Sequence, residues 1–132
     1  MRKLTTILLL FVALTIRAAY YVAGNGANGN SWCNGKAWVV NGAPMTNNDG
    51  VWSVTFNAVP AGSYEFKVTN GSSSWIGFDK FSPDCSNLYA TANSDANICF
   101  SIQQEQDITI TYNTSAICLT GTVGNNYPDP SR

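Results

Sequence analysis

Over short stretches of this chain apolar residues return at every second position, and clusters of Gly, Asn, Asp, Ser and Pro separate the stretches. Val51, Ser53 and Thr55 fall on one face, with Trp52, Val54 and Phe56 on the other. Ile108, Ile110 and Tyr112 oppose Thr109 and Thr111 in the same way. That period of two is the signature of a half-buried strand. The pattern predicts strands over 20–23, 37–40, 51–56, 64–68, 74–78, 98–102, 108–112 and 116–119. Turn-forming clusters occupy 24–30, 41–44, 47–50, 59–62 and 70–73, where these residue types reach left-handed and turn conformations at low cost. Past the first eighteen residues no ten-residue stretch carries a 3.6-residue apolar period. The expected fold is therefore all-β: an immunoglobulin-like antiparallel β-sandwich of about seven to eight strands.

The ends read differently. Arg2 and Lys3 precede an apolar run over 7–16, and the small residues Ala18 and Ala19 follow. The run suits a signal-peptide core and is short of the roughly 20 apolar residues that span a bilayer. Residues 1–18 are thus expected to be an export signal, with no membrane segment after its removal. Residues 19–120 form the expected domain, and 121–132 read as a linker or tail, with the natural protein expected to continue beyond it. The polar stretch 81–97 is expected to be a long loop over one end of the sandwich.

Composition narrows the function classes. Removing Arg2, Lys3 and Arg17 leaves four of the seven Lys and Arg against eight acids, a net charge of −4. An acidic domain without a basic stripe is unsuited to a phosphate backbone, which argues against nucleic acid. Cys33, Cys85, Cys99 and Cys118 make an even set, which in an exported domain favours disulfides. Three pairings are open, and Cys85–Cys99, which would pin the 81–97 loop, is the favoured one. No Cys-x-x-Cys pair suggests zinc, and no loop is dense enough in Asp for calcium, so neither metal nor cofactor is expected. Asn70-Gly71-Ser72 and Asn113-Thr114-Ser115 match the glycan-acceptor pattern, which matters only in a eukaryotic host.

Catalysis finds little support. With no histidine there is no Ser-His or Cys-His pair. Glycoside hydrolysis needs two carboxylates across a cleft. Of the two glutamates, Glu65 lies within a strand and Glu105 in a turn-like run, and the aspartates fall mostly in turns. The aromatic residues say more. Sugars present apolar faces edged with hydroxyls, and Trp offers a broad apolar face with one N–H. Trp52, mid-strand and in phase with Val54 and Phe56, reads as core. Trp38, after Asn34-Gly35-Lys36-Ala37, suits core and site equally. Trp75, after the polar 70–74 loop, reads as exposed and functional. Trp32, beside Cys33, reads as the cover of a disulfide.

The run 49–56, the turn Val59-Pro60-Ala61-Gly62, the strand Tyr64-Glu65-Phe66-Lys67-Val68 and then Trp75 together resemble the starch-binding and glycogen-binding module families. They also resemble the accessory β-domains in front of amylases and pullulanases. The similarity extends over roughly 20–119, with the specific matches in 49–75. The resemblance implies non-catalytic binding of an α-glucan, with Trp38, Lys67 and Trp75 as the principal site. Two indoles would form an angled platform, and the lysine would donate hydrogen bonds to sugar hydroxyls. The resemblance further implies a module that targets an attached or partner enzyme, such as a downstream catalytic domain, to polysaccharide. The export signal places the expected protein outside the cell as a secreted protein, in the periplasm or at the cell surface. The alternative is a structural or docking sandwich that spaces domains, in which case the two tryptophans need not share an exposed face.

Overall fold

The computed structural model describes residues 19–26 and 32–124. The expected signal (1–18) and most of the expected tail (121–132) lie outside the described residues. Ten strands occur among them: β1 (Tyr21–Asn25), β2 (Ala43–Pro44), β3 (Thr46–Asn48), β4 (Val51–Val59) and β5 (Gly62–Thr69). They continue with β6 (Trp75–Ile76), β7 (Thr91–Ala92), β8 (Ile98–Ile102), β9 (Gln106–Tyr112) and β10 (Ile117–Gly121). One sheet runs β2-β1-β5-β8-β7, with β6 also on β5, and the other runs β10-β9-β4-β3. All pairings between named strands are antiparallel. The molecule is an all-β sandwich, as the alternation predicts. The count exceeds eight because β2, β3, β6 and β7 are each two or three residues long, too short to show a period.

The core follows from the alternation. Phe56, Ile108, Ile110, Ile117 and Leu119 from one sheet meet Val22, Phe66, Val68, Ile98 and Phe100 from the other. Burying each such side chain contributes about 1.5–3 kcal/mol. Trp32 stands among these residues. Its ring centroid lies 4.7 Å from Phe56, 5.4 Å from Phe100 and 5.3 Å from Tyr64, and its indole N–H donates to the Glu65 carbonyl at 3.4 Å. Trp32 therefore plugs the sandwich rather than covering a disulfide. Directly after it the chain turns through three left-handed residues, Cys33, Asn34 and Gly35. Trp52 packs against the core, edge-on to Tyr20 at 5.2 Å.

The cysteine pairing corrects the expectation. The bond joins Cys85 to Cys118, leaving Cys33 and Cys99 as thiols. The cause lies in how 81–97 runs. Its first part straps along β10: Ser82 N–H donates to Ile117 O at 2.9 Å and Asn87 N–H to Leu119 O at 3.2 Å. Ser86 Oγ accepts from Leu119 N–H at 2.9 Å and donates to Ser82 O at 2.7 Å. Cys85 is thereby held beside Cys118, whereas Cys99 sits on β8 in the opposite sheet. The stretch is thus not one loose loop, since it also contains β7. At the far end, Gln106 Oε1 accepts from Val123 and Gly124 N–H, both at 3.1 Å, so the start of the expected tail, 121–124, is fastened to β9.

Candidate functional site

The register of β5 creates the site. Tyr64, Phe66 and Val68 are buried, so Ser63, Glu65 and Lys67 project from the outer face of their sheet. β1 pairs with β5 over Glu65–Thr69, and β8 pairs over Gly62–Phe66. A strand has only two edges, so β6, which pairs with Val68 and Thr69, must take up the edge that β8 leaves. The interval between β8 and β6 falls at Lys67. Gly77 and Ala96 close it, with Phe78 N–H donating to Ala96 O at 2.9 Å. A side chain on Gly77 would place its Cβ 2.3 Å from Ala96 O and 3.0 Å from Lys67 Cε. The lysine stem therefore rests over a position that only glycine fills.

Two loops bring indoles to this place. After β5 the chain reverses over 70–74, where Asn70 Oδ1 accepts from Ser72 N–H at 2.9 Å and Ser74 N–H at 3.1 Å. The tight turn delivers Trp75, which is 41% exposed, to the outer edge. On the other side, Trp38 N–H donates to Gly24 O at 2.9 Å. Trp38 has φ 54, a left-handed conformation that costs a bulky residue about 1–2 kcal/mol. Strain of this kind concentrates at functional sites. The 37–40 segment predicted as a strand is instead a turn, joined to β1 by the isolated Gly24–Ala37 bridge. Buried Thr69 ties the two loops together: its hydroxyl donates to Val40 O and accepts from Gly71 N–H at 3.0 Å.

The indole centroids of Trp38 and Trp75 lie 6.3 Å apart with their planes at 55°. Ala23, which pairs with Lys67 in register, has no solvent exposure. Trp38, Lys67 and Trp75 line one open depression of about 350 Å³. Its other walls are Glu65, Asn93, Asp95 and Asn97, none of which the sequence analysis assigned to a site.

These polar residues form an organised set. Glu65 Oε1 accepts from Asn93 Nδ2 at 3.1 Å and Asn97 Nδ2 at 3.0 Å. Asn93 Oδ1 in turn accepts from the backbone N–H of Asp95 and of Asn97, both at 3.0 Å. One asparagine thus shapes the 93–97 turn and fastens it to β5. Only the Glu65 alternation with Lys67 offered a signal for this; Asn93 and Asn97 read as turn residues. Burial, and then the Glu65 charge, push the neighbouring Cys99 thiol up, while a backbone hydrogen bond at Asn93 opposes them. Among the described residues no cluster of three His, Cys, Asp or Glu could hold a metal. The site therefore offers an apolar bent wall, a cationic donor, a fixed carboxylate and amide groups within one shallow basin. No known family model matches the chain, and no curated protein matches it.

Proposed function

We propose that this protein is a non-catalytic carbohydrate-binding module that recognises α-glucan through Trp38, Lys67 and Trp75 and brings an attached or partner enzyme to polysaccharide. The observation that carries this reading is the pair of tilted indoles beside a lysine on one open face. Tilted rings suit the bent, apolar surface of a helical glucan, while Lys67 and the Glu65–Asn93–Asn97 set supply donors and acceptors for its hydroxyls. A spacer domain has no need of two indoles on one face, and none for Trp38 in a costly backbone conformation. Export agrees with the apolar amino-terminal run and with the Cys85–Cys118 bond.

Sedimentation with insoluble starch tests the proposal. Trp38→Ala and Trp75→Ala should each weaken retention about tenfold or more, equivalent to about 1.4 kcal/mol. Binding undiminished in both variants removes the indole platform. Protein that never sediments with starch removes the glucan reading.

A further inference from the structure

We infer that the carbohydrate site does not end at the indole pair but continues along β5 to Ser63, so that the protein grips an internal stretch of a linear hexose chain. The inference rests on the carbohydrate reading above and adds the length of ligand the site takes. A second depression, of about 320 Å³, is lined by Asn25, Gly26, Ser63, Tyr64, Glu65 and Cys99. Glu65 lines the first depression as well, so the two share this residue.

The pairing explains why the surface is continuous. Asn25, Glu65 and Cys99 occupy one row across β1, β5 and β8. Ser63 and Ser101 form the next outward pair, their hydroxyls 2.8 Å apart. The outer face of β5 thus presents a cation at Lys67, a carboxylate at Glu65 and a hydroxyl at Ser63. No bulky side chain on β5 interrupts this row. From Lys67 to Ser63 the strand covers ~13 Å at ~3.3 Å per residue, the length of about two to three linked hexoses. Hydrogen-bonding groups at that spacing meet successive sugar hydroxyls. Glu65 is already held by Asn93 and Asn97, so little further ordering opposes binding.

Titration calorimetry with linear α-1,4-linked gluco-oligosaccharides, from trisaccharide to heptasaccharide, tests this. Affinity should rise about fivefold or more between the shortest and longest ligands and then level off. Ser63→Ile fills the second depression with a residue that favours strands, and it should erase the gain for long ligands while leaving the trisaccharide affinity intact. Alkylation of the free Cys99 thiol should slow with bound heptasaccharide and not with trisaccharide. Equal affinity at every length, or an unchanged length profile in Ser63→Ile, overturns the extension and leaves the indole platform standing. Absence of binding at all lengths overturns both.

Discussion

Cys33 has no solvent exposure, and burial pushes its thiol from an ordinary 9.0 up to about 12. The folded chain therefore holds this proton more tightly than the unfolded chain does. Stability linked to the group is whole below about pH 9 and falls as pH rises toward 12, by up to about 1.4 kcal/mol for each pH unit. Burial shifts Tyr64, Tyr112 and Cys99 upward too, so they add to the loss in the same direction. Thermal unfolding should show the melting temperature dropping between pH 9 and pH 11. Cys33→Ala should show a shallower drop; an identical slope in the variant would remove Cys33 as a cause. Trp32→Ala removes the largest core ring and should cost about 3–5 kcal/mol in chemical denaturation. A loss under 1 kcal/mol would contradict its place between the sheets.

At the scale of elements, the Cys85–Cys118 bond closes a 33-residue separation and fastens the 82–87 strap to β10. Restricting the unfolded chain over such a loop stabilises the fold by about 3–4 kcal/mol. Cys85→Ser and Cys118→Ser should each lose most of this in urea unfolding, whereas Cys99→Ser should stay within about 1 kcal/mol of the parent. Equal losses in all three would contradict the pairing. The 93–97 turn makes a second case. Asn93→Ala frees two backbone N–H groups and one Glu65 contact, so starch affinity should fall at least threefold while the melting temperature changes by only a few degrees. Affinity equal to the parent would show that the turn does not shape the basin.

For the whole molecule, the ligand proposed is uncharged and the full chain carries a net charge of only −1. Attraction through stacking and neutral hydrogen bonds is little screened by salt, in contrast to association between charged surfaces. Retention on starch should therefore vary less than twofold between 50 mM and 500 mM sodium chloride. A tenfold fall would point instead to an ionic partner and favour a docking role. Affinity should also be modest, with Kd between about 10 μM and 1 mM, because a small open site retains only a few kcal/mol after ordering costs.

Much of this architecture was legible in the chain. Strict alternation at 51–56, 64–68 and 108–112 determined the long strands and their inward faces, because a residue that must avoid water and one that must meet it cannot exchange faces of a pleated strand. The same alternation set Glu65 and Lys67 outward together. What escaped the sequence was set by contacts distant along the chain. Cys85 meets Cys118 because a strap lies along β10, a neighbour unknown until the sheets form. Trp32 enters the core because Phe56, Tyr64 and Phe100 receive its ring, although its Gly/Asn-rich surroundings read as surface. Asn93 and Asn97 carry ordinary turn chemistry, and the return of β8 to the edge of β5 alone sets their amides on Glu65. The sequence by itself determined that the chain is a β-sandwich with an outward Lys67 and a Trp75 beyond the next turn. Only the tertiary structure decided that Trp38, from a strained loop beyond β1, completes a tilted pair with Trp75, because that approach depends on both loops being tied through Thr69.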